Sequence, residues 1–83
     1  MFTFGKVKHQ DTCHGVRVEG IILCDGNWVG NFYNEPFAAC ITRFEDGNVR
    51  EAFAEAAKEK GLHVCNFAET LLQAAEDLLL KKR

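Results

Sequence analysis

A chain of 83 residues, 47% apolar and 27% charged, is long enough for one core and too short for two, and its single proline and seven glycines form no linker or low-complexity stretch, so a single domain over 1–83 is expected. The formal charge of −2 gives no global attraction to phosphate backbones and argues against nucleic acid as a partner. No run approaches the ~18 consecutive apolar residues of a membrane span, and Met1-Phe2-Thr3-Phe4-Gly5-Lys6 lacks the basic and apolar regions of a signal peptide, so a cytoplasmic protein with Cys13, Cys24, Cys40 and Cys65 as reduced thiols is expected.

In chain order, Phe2 to Lys8 alternates weakly and is a candidate strand, and Gln10-Asp11-Thr12 reads as a polar connection. Val16 to Cys24 is rich in Val and Ile, Asp25-Gly26 is a two-residue hairpin turn, and Asn27 to Tyr33 is the return strand. Asn34-Glu35-Pro36 breaks the ladder because proline has no N–H, and Ala38 to Phe44 is the next strand. The period then changes. Val49, Phe53, Ala56 and Ala57 share one helical face, opened by a capping-box-like Asn48 and Glu51 and ended by Gly61. Asn66 and Glu69 repeat the signature and open a second helix with an apolar stripe of Phe67, Leu71, Leu72, Ala75, Leu78 and Leu79. Leu62 to Cys65 is either a tight turn between helices or a short edge strand, and Lys81, Lys82 and Arg83 suit a helix C-terminus. The predicted fold class is α+β: an antiparallel three- to four-stranded β-meander followed by two C-terminal α-helices packed on one sheet face.

A regular hairpin closed at Asp25-Gly26 pairs Cys24 with Asn27, Leu23 with Trp28, Ile21 with Gly30 and Glu19 with Phe32. One face then carries Val16, Val18, Ile22, Cys24, Val29 and Tyr33, joined by Ala38, Cys40 and Thr42 if the next strand pairs through a four-residue loop, and holds Asn27 and Asn31 but no charge. The other carries Ile21, Leu23, Trp28, Phe32, Ala39 and Ile41, with Arg17, Glu19 and Arg43 at its margin. Two helices cover one face only, and the charge-free face suits them better. The Trp28 face is then either an exposed patch or a second small core closed by Phe2, Phe4 and Phe37.

The residues offer little chemistry. His9, Cys13, His14, His63 and Cys65 carry nitrogen and sulfur that could ligate zinc, but they lack the paired, knuckle-like spacing of structural zinc sites, so no metal and no cofactor is assigned. Cys13 and His14 are adjacent on an extended chain and point to opposite sides of it, which excludes them as a nucleophile and base pair. The carboxylates fall at helix starts and solvent-side positions, and no glycine-rich phosphate loop is present. No catalytic residue is assigned.

Val49 to Phe67, with Gly61-Leu62-His63-Val64 at its middle, resembles the paired-helix part of ribbon-helix-helix repressors and antitoxins. The resemblance implies a dimeric DNA-binding regulator in which Ile41-Thr42-Arg43-Phe44 is the strand that reads the major groove. The residues themselves favour a different expectation: a non-enzymatic protein-protein interaction module, regulatory or inhibitor-like. Trp28 and Phe32 are its anchors, Ile21, Leu23 and Ile41 its apolar centre, and Arg17, Glu19 and Arg43 its orienting rim; the partner is another protein or a second copy.

Overall fold

The computed structural model describes residues 1–36 and 40–81, the side chain of Lys81 excepted. The expectations placed on Phe37, Ala38, Ala39, Lys82 and Arg83 lie outside the described residues. Four strands, β1 (Phe2–Thr12), β2 (Gly15–Cys24), β3 (Asn27–Asn34) and β4 (Cys40–Phe44), precede two helices, α1 (Gly47–Glu59) and α2 (Val64–Lys81). The strands form one antiparallel sheet in the order β1-β2-β3-β4, and the helices pack on one of its faces, α2 against β1 and β4 and α1 against β4. This is the α+β meander with two C-terminal helices that the periodicity predicts.

The central hairpin closes as expected. Asp25 and Gly26 have φ of 51° and 87°, the left-handed pair that a tight two-residue turn needs, and the Asp25 N–H donates to the Met1 carbonyl at 3.0 Å, which ties the start of β1 to the turn. Cys24 faces Asn27 and Leu23 faces Trp28. There the regular register ends. Ile22 faces Gly30 and Gly20 faces Phe32, so Val29 is an extra residue on β3 and the rest of the strand is turned over. Without the bulge, the Asn31 amide would face the helices. With it, Asn31 and Tyr33 face away and Phe32 enters the core, 1% exposed, a burial that contributes about 1.5–3 kcal/mol.

Glycine on the partner strand makes room for that ring. A Cβ at Gly20 would lie 2.7 Å from the Phe32 ring and 2.6 Å from the Gly5 carbonyl oxygen, so Phe32 covers Gly20 and reaches across β2 to stack on Phe4, centroids 4.1 Å apart at 12°.

The first strand is longer than its alternation indicates. Gln10, Asp11 and Thr12 are not a connection but the end of β1, paired with Arg17, Val16 and Gly15, and the hairpin turns at Cys13-His14. Thr12 steadies that turn: its Oγ1 donates to the Gly15 carbonyl at 2.7 Å and accepts from the His14 N–H at 3.2 Å. The weak alternation has a cause. Between Gly5 and Lys8 two residues face Gly20, and Lys6 has a φ of 48°. This bulge turns Val7 toward the helices and keeps Lys6 in solvent.

The helix caps lie slightly outside the predicted ones. Asp46, not Asn48, caps α1: its backbone is extended, with φ −128° and ψ 134°, and its carboxylate accepts the Asn48 N–H at 2.9 Å. Gly61, with φ of 70°, ends the helix in a Schellman arrangement, the Leu62 N–H bonding to the Ala57 carbonyl and the Gly61 N–H to that of Lys58. Leu62–Cys65 is therefore a turn running into a helix and not an edge strand. Helix α2 begins at Val64, ahead of the Asn66 start, with the Phe67 N–H bonded to the His63 carbonyl at 2.9 Å.

The core is largely aromatic. Phe53 is fully buried and meets Phe2 at 5.1 Å, Phe44 at 5.1 Å and Phe67 at 4.9 Å between ring centroids; Val18, Ile22, Cys40, Ala57 and Leu72 pack around them. The stripe of α2 reaches this core as far as Ala75. Leu78 and Leu79, expected to continue it, are 59% and 44% exposed.

Phe53→Ala should cost about 3–5 kcal/mol, a large part of the ~5–15 kcal/mol that holds a domain folded. Urea unfolding followed by circular dichroism measures it, and a loss below about 1 kcal/mol would remove Phe53 from the centre of the core.

Candidate functional site

The face of the sheet away from the helices is built from alternate residues of all four strands. Strand β2 contributes Arg17, Glu19, Ile21 and Leu23, β3 contributes Trp28, Asn31 and Tyr33, and β4 contributes Ile41 and Arg43. Of the expected site residues, Trp28, Ile21, Leu23, Ile41, Arg17, Glu19 and Arg43 share this face. Phe32 does not, because the bulge at Val29 sends it to the opposite side, and its assignment as a surface anchor is corrected on that ground. Tyr33, expected against the helices, takes the exposed place by the same shift. Phe2 and Phe4 lie on the helix-packed face, so neither folds across Trp28.

Trp28 is 48% exposed and Ile41 41% exposed, with Ile21 and Leu23 half-buried beside them. The indole is not left free to rotate: its Nε1 donates to Asn31 Oδ1 at 3.1 Å, a contact possible because the bulge puts residues three apart on one side of the strand. Arg17 is held at several points. Its guanidinium carbon stands 5.2 Å from the centre of the Tyr33 ring, its Nε lies 3.2 Å from Glu35 Oε1, and its Nη2 lies 3.9 Å from Glu19 Oε2. Lys6 and Lys8 of β1 and Arg43 of β4 border the same depression, which Ile21, Asn31 and Tyr33 also line.

Two signals in the sequence bear on this geometry. A glycine inside a strand, here Gly30 between Trp28 and Phe32, is a common mark of a bulge, and the uninterrupted register leaves Asn27 and Asn31 on a face otherwise suited to a core. Nothing in the local pattern points to the placement of Lys6 and Lys8 on this face, which depends on the second bulge.

The nitrogen and sulfur residues considered as ligands are dispersed. His9 Nε2 lies 2.8 Å from Glu76 Oε1 and links β1 to α2; Cys13 and His14 form the β1–β2 turn; His63 precedes α2 and Cys65 lies in its first turn. Among the described residues no three His, Cys, Asp or Glu side chains gather where they could hold a metal ion, and all four cysteines are free. No helix among the described residues is long and apolar enough to cross a membrane. No family model, curated protein or solved structure matches the chain.

Burial pushes the Cys40 thiol up to about 11 from its usual 9.0, with the charges of Glu69 and Cys65 adding to it. The stability contributed by the neutral thiol is complete below pH 9.0 and is lost as the pH rises through about 11, because the unfolded chain ionises first. Alkylation at neutral pH should therefore label exposed Cys13 early and Cys40 last, in step with unfolding; labelling of Cys40 in the folded protein at the rate of Cys13 would contradict its burial.

The two faces also predict opposite mutational costs. Phe32→Ala should lose about 3–5 kcal/mol and Trp28→Ala under about 1 kcal/mol, and thermal melts that reverse this order would restore the unbulged register.

Proposed function

We propose that the protein is a small non-enzymatic interaction module, regulatory or inhibitor-like, that docks another protein or a second copy of itself on the open sheet face. One observation carries this reading: the helices cover a single face of the sheet, and among the described residues nothing covers the other, where Trp28 and Ile41 stand exposed beside Ile21, Leu23 and Tyr33. Apolar surface rimmed by charge marks interaction sites, and tryptophan and arginine are the residues most often found at their energetic centres. Trp28 is the anchor, held in one orientation by Asn31 so that little freedom is lost on docking. Arg17, Glu19 and Arg43 form the rim that sets orientation.

A non-enzymatic role is supported by the side chains themselves. Among the described residues, the Thr12 and Thr70 hydroxyls are bonded to backbone carbonyls, which leaves neither oxygen bonded to a base. Four free cysteines suit a reducing, cytoplasmic setting.

Light scattering on the wild type and on Trp28→Ala, with a far-UV spectrum as the folding control, tests the reading. A wild-type dimer that becomes a folded monomer on substitution identifies a self-association surface. If both are monomers, proteins retained by the wild type should be lost with Trp28→Ala, and a retained set identical for both overturns the proposal.

A further inference from the structure

We infer that the partner of this face presents an acidic segment, with carboxylates flanking apolar side chains, and that Lys6, Lys8, Arg17 and Arg43 are the subsite that receives it. The inference rests on the docking role proposed above. Although the chain is net negative, these four of its ten Lys and Arg residues surround one depression, against a single carboxylate, Glu19. Arg17 is already committed to Glu35, Glu19 and Tyr33, whereas Lys6, Lys8 and Arg43 make no ion pair among the described residues. Like charges gathered on one surface repel each other, and a partner's carboxylates would relieve that repulsion as well as steer the approach.

The backbone contributes to the arrangement. Regular alternation along β1 would turn Lys6 toward the helices and Val7 toward the open face. The bulge opposite Gly20 reverses both, at the expense of a left-handed conformation at a non-glycine residue. It thereby adds a lysine to the depression and withdraws an apolar side chain from it.

The chemistry around the charges favours a polypeptide. Single-stranded nucleic acid needs a series of exposed aromatic faces for its bases, but Arg17 lies over the Tyr33 ring and Trp28 stands alone. Ile21, Leu23 and Ile41 offer aliphatic contact instead. A two-fold pairing of copies centred on this depression would set the basic cluster against its own image, which argues for a different chain as the partner.

Trp28, the chain's single tryptophan, reports occupancy of the face by its emission. The intact protein is titrated with a short capped peptide alternating Glu and Leu, with its Lys and Leu counterpart, and with oligothymidylate. The acidic peptide alone should give a saturable blue shift, weakened about tenfold between roughly 50 and 300 mM salt and again by combined Lys8→Glu and Arg43→Glu, whose far-UV spectrum should not change. No saturable shift with the acidic peptide, equal binding of the basic one, tighter binding of the oligonucleotide or indifference to charge reversal would each overturn the inference. The docking reading is separable from it: a natural partner lost with Trp28→Ala but kept by the charge-reversed protein leaves that reading standing and removes this one.

Discussion

The fold is organised around one side chain. Phe53 projects from α1 and meets Phe2 of β1, Phe44 of β4 and Phe67 of α2, so a single ring touches both outer strands of the sheet and the second helix. The two outer strands of a four-stranded sheet are not neighbours, and α2, packed against both, joins them as well, with Phe53 where these parts meet. Dispersion and apolar burial at Phe53 join these parts into one cooperative unit. Alanine at position 57 and at positions 68 and 75 allows the helices to approach the sheet closely enough for that ring to reach.

Because so much of the core lies on one side, the sheet has to solve a sorting problem that regular alternation does not. Its inner face needs Phe4, Val7 and Phe32, and its outer face needs Lys6, Trp28 and Asn31, yet Lys6 has the parity of Phe4, and Trp28 that of Phe32. Two bulges, at Lys6 in β1 and at Val29 in β3, change parity at the points required. The one in β1 has a second effect. An outer strand exposes unpaired backbone, and a kinked, lysine-bearing edge is a poor template for another strand to join.

The sequence was therefore informative to different depths. Element type and order are legible from local signals: the Asp25-Gly26 turn, the change of period after Gly47, the glycine at 61. These depend on neighbours within a few residues and are not altered by packing elsewhere. Arg17, Glu19, Ile21 and Leu23 could be placed on one face because they lie on β2, whose parity the bulge in β3 does not affect, and Trp28 because it lies before that bulge; Ile41 and Arg43 reach the same face because Asn34 pairs with Cys40, a change from the expected four-residue loop that offsets the bulge. Phe32, Tyr33 and Asn31 lie after it, and their side is decided by which arrangement buries a phenyl ring instead of an amide, a comparison between whole registers that no short window contains. The cap of α1 at Asp46 shows the smaller uncertainty of the same kind, since Asn48 offers an equally good side chain two residues later.

The unequal lengths of strands and helices have a mechanical consequence. The His9–Glu76 contact is near the last point at which the helical layer touches β1, and from Gln10 through the Cys13-His14 turn to Val16 every residue is exposed. The β1–β2 hairpin is thus a beam clamped at one end by the aromatic core and cantilevered at the other. Its free end is held by ladder bonds and by the Thr12 bonds at the turn, with no packing from the helices, so it opens at lower free energy than the clamped end, and amide exchange there can proceed without disturbing the core.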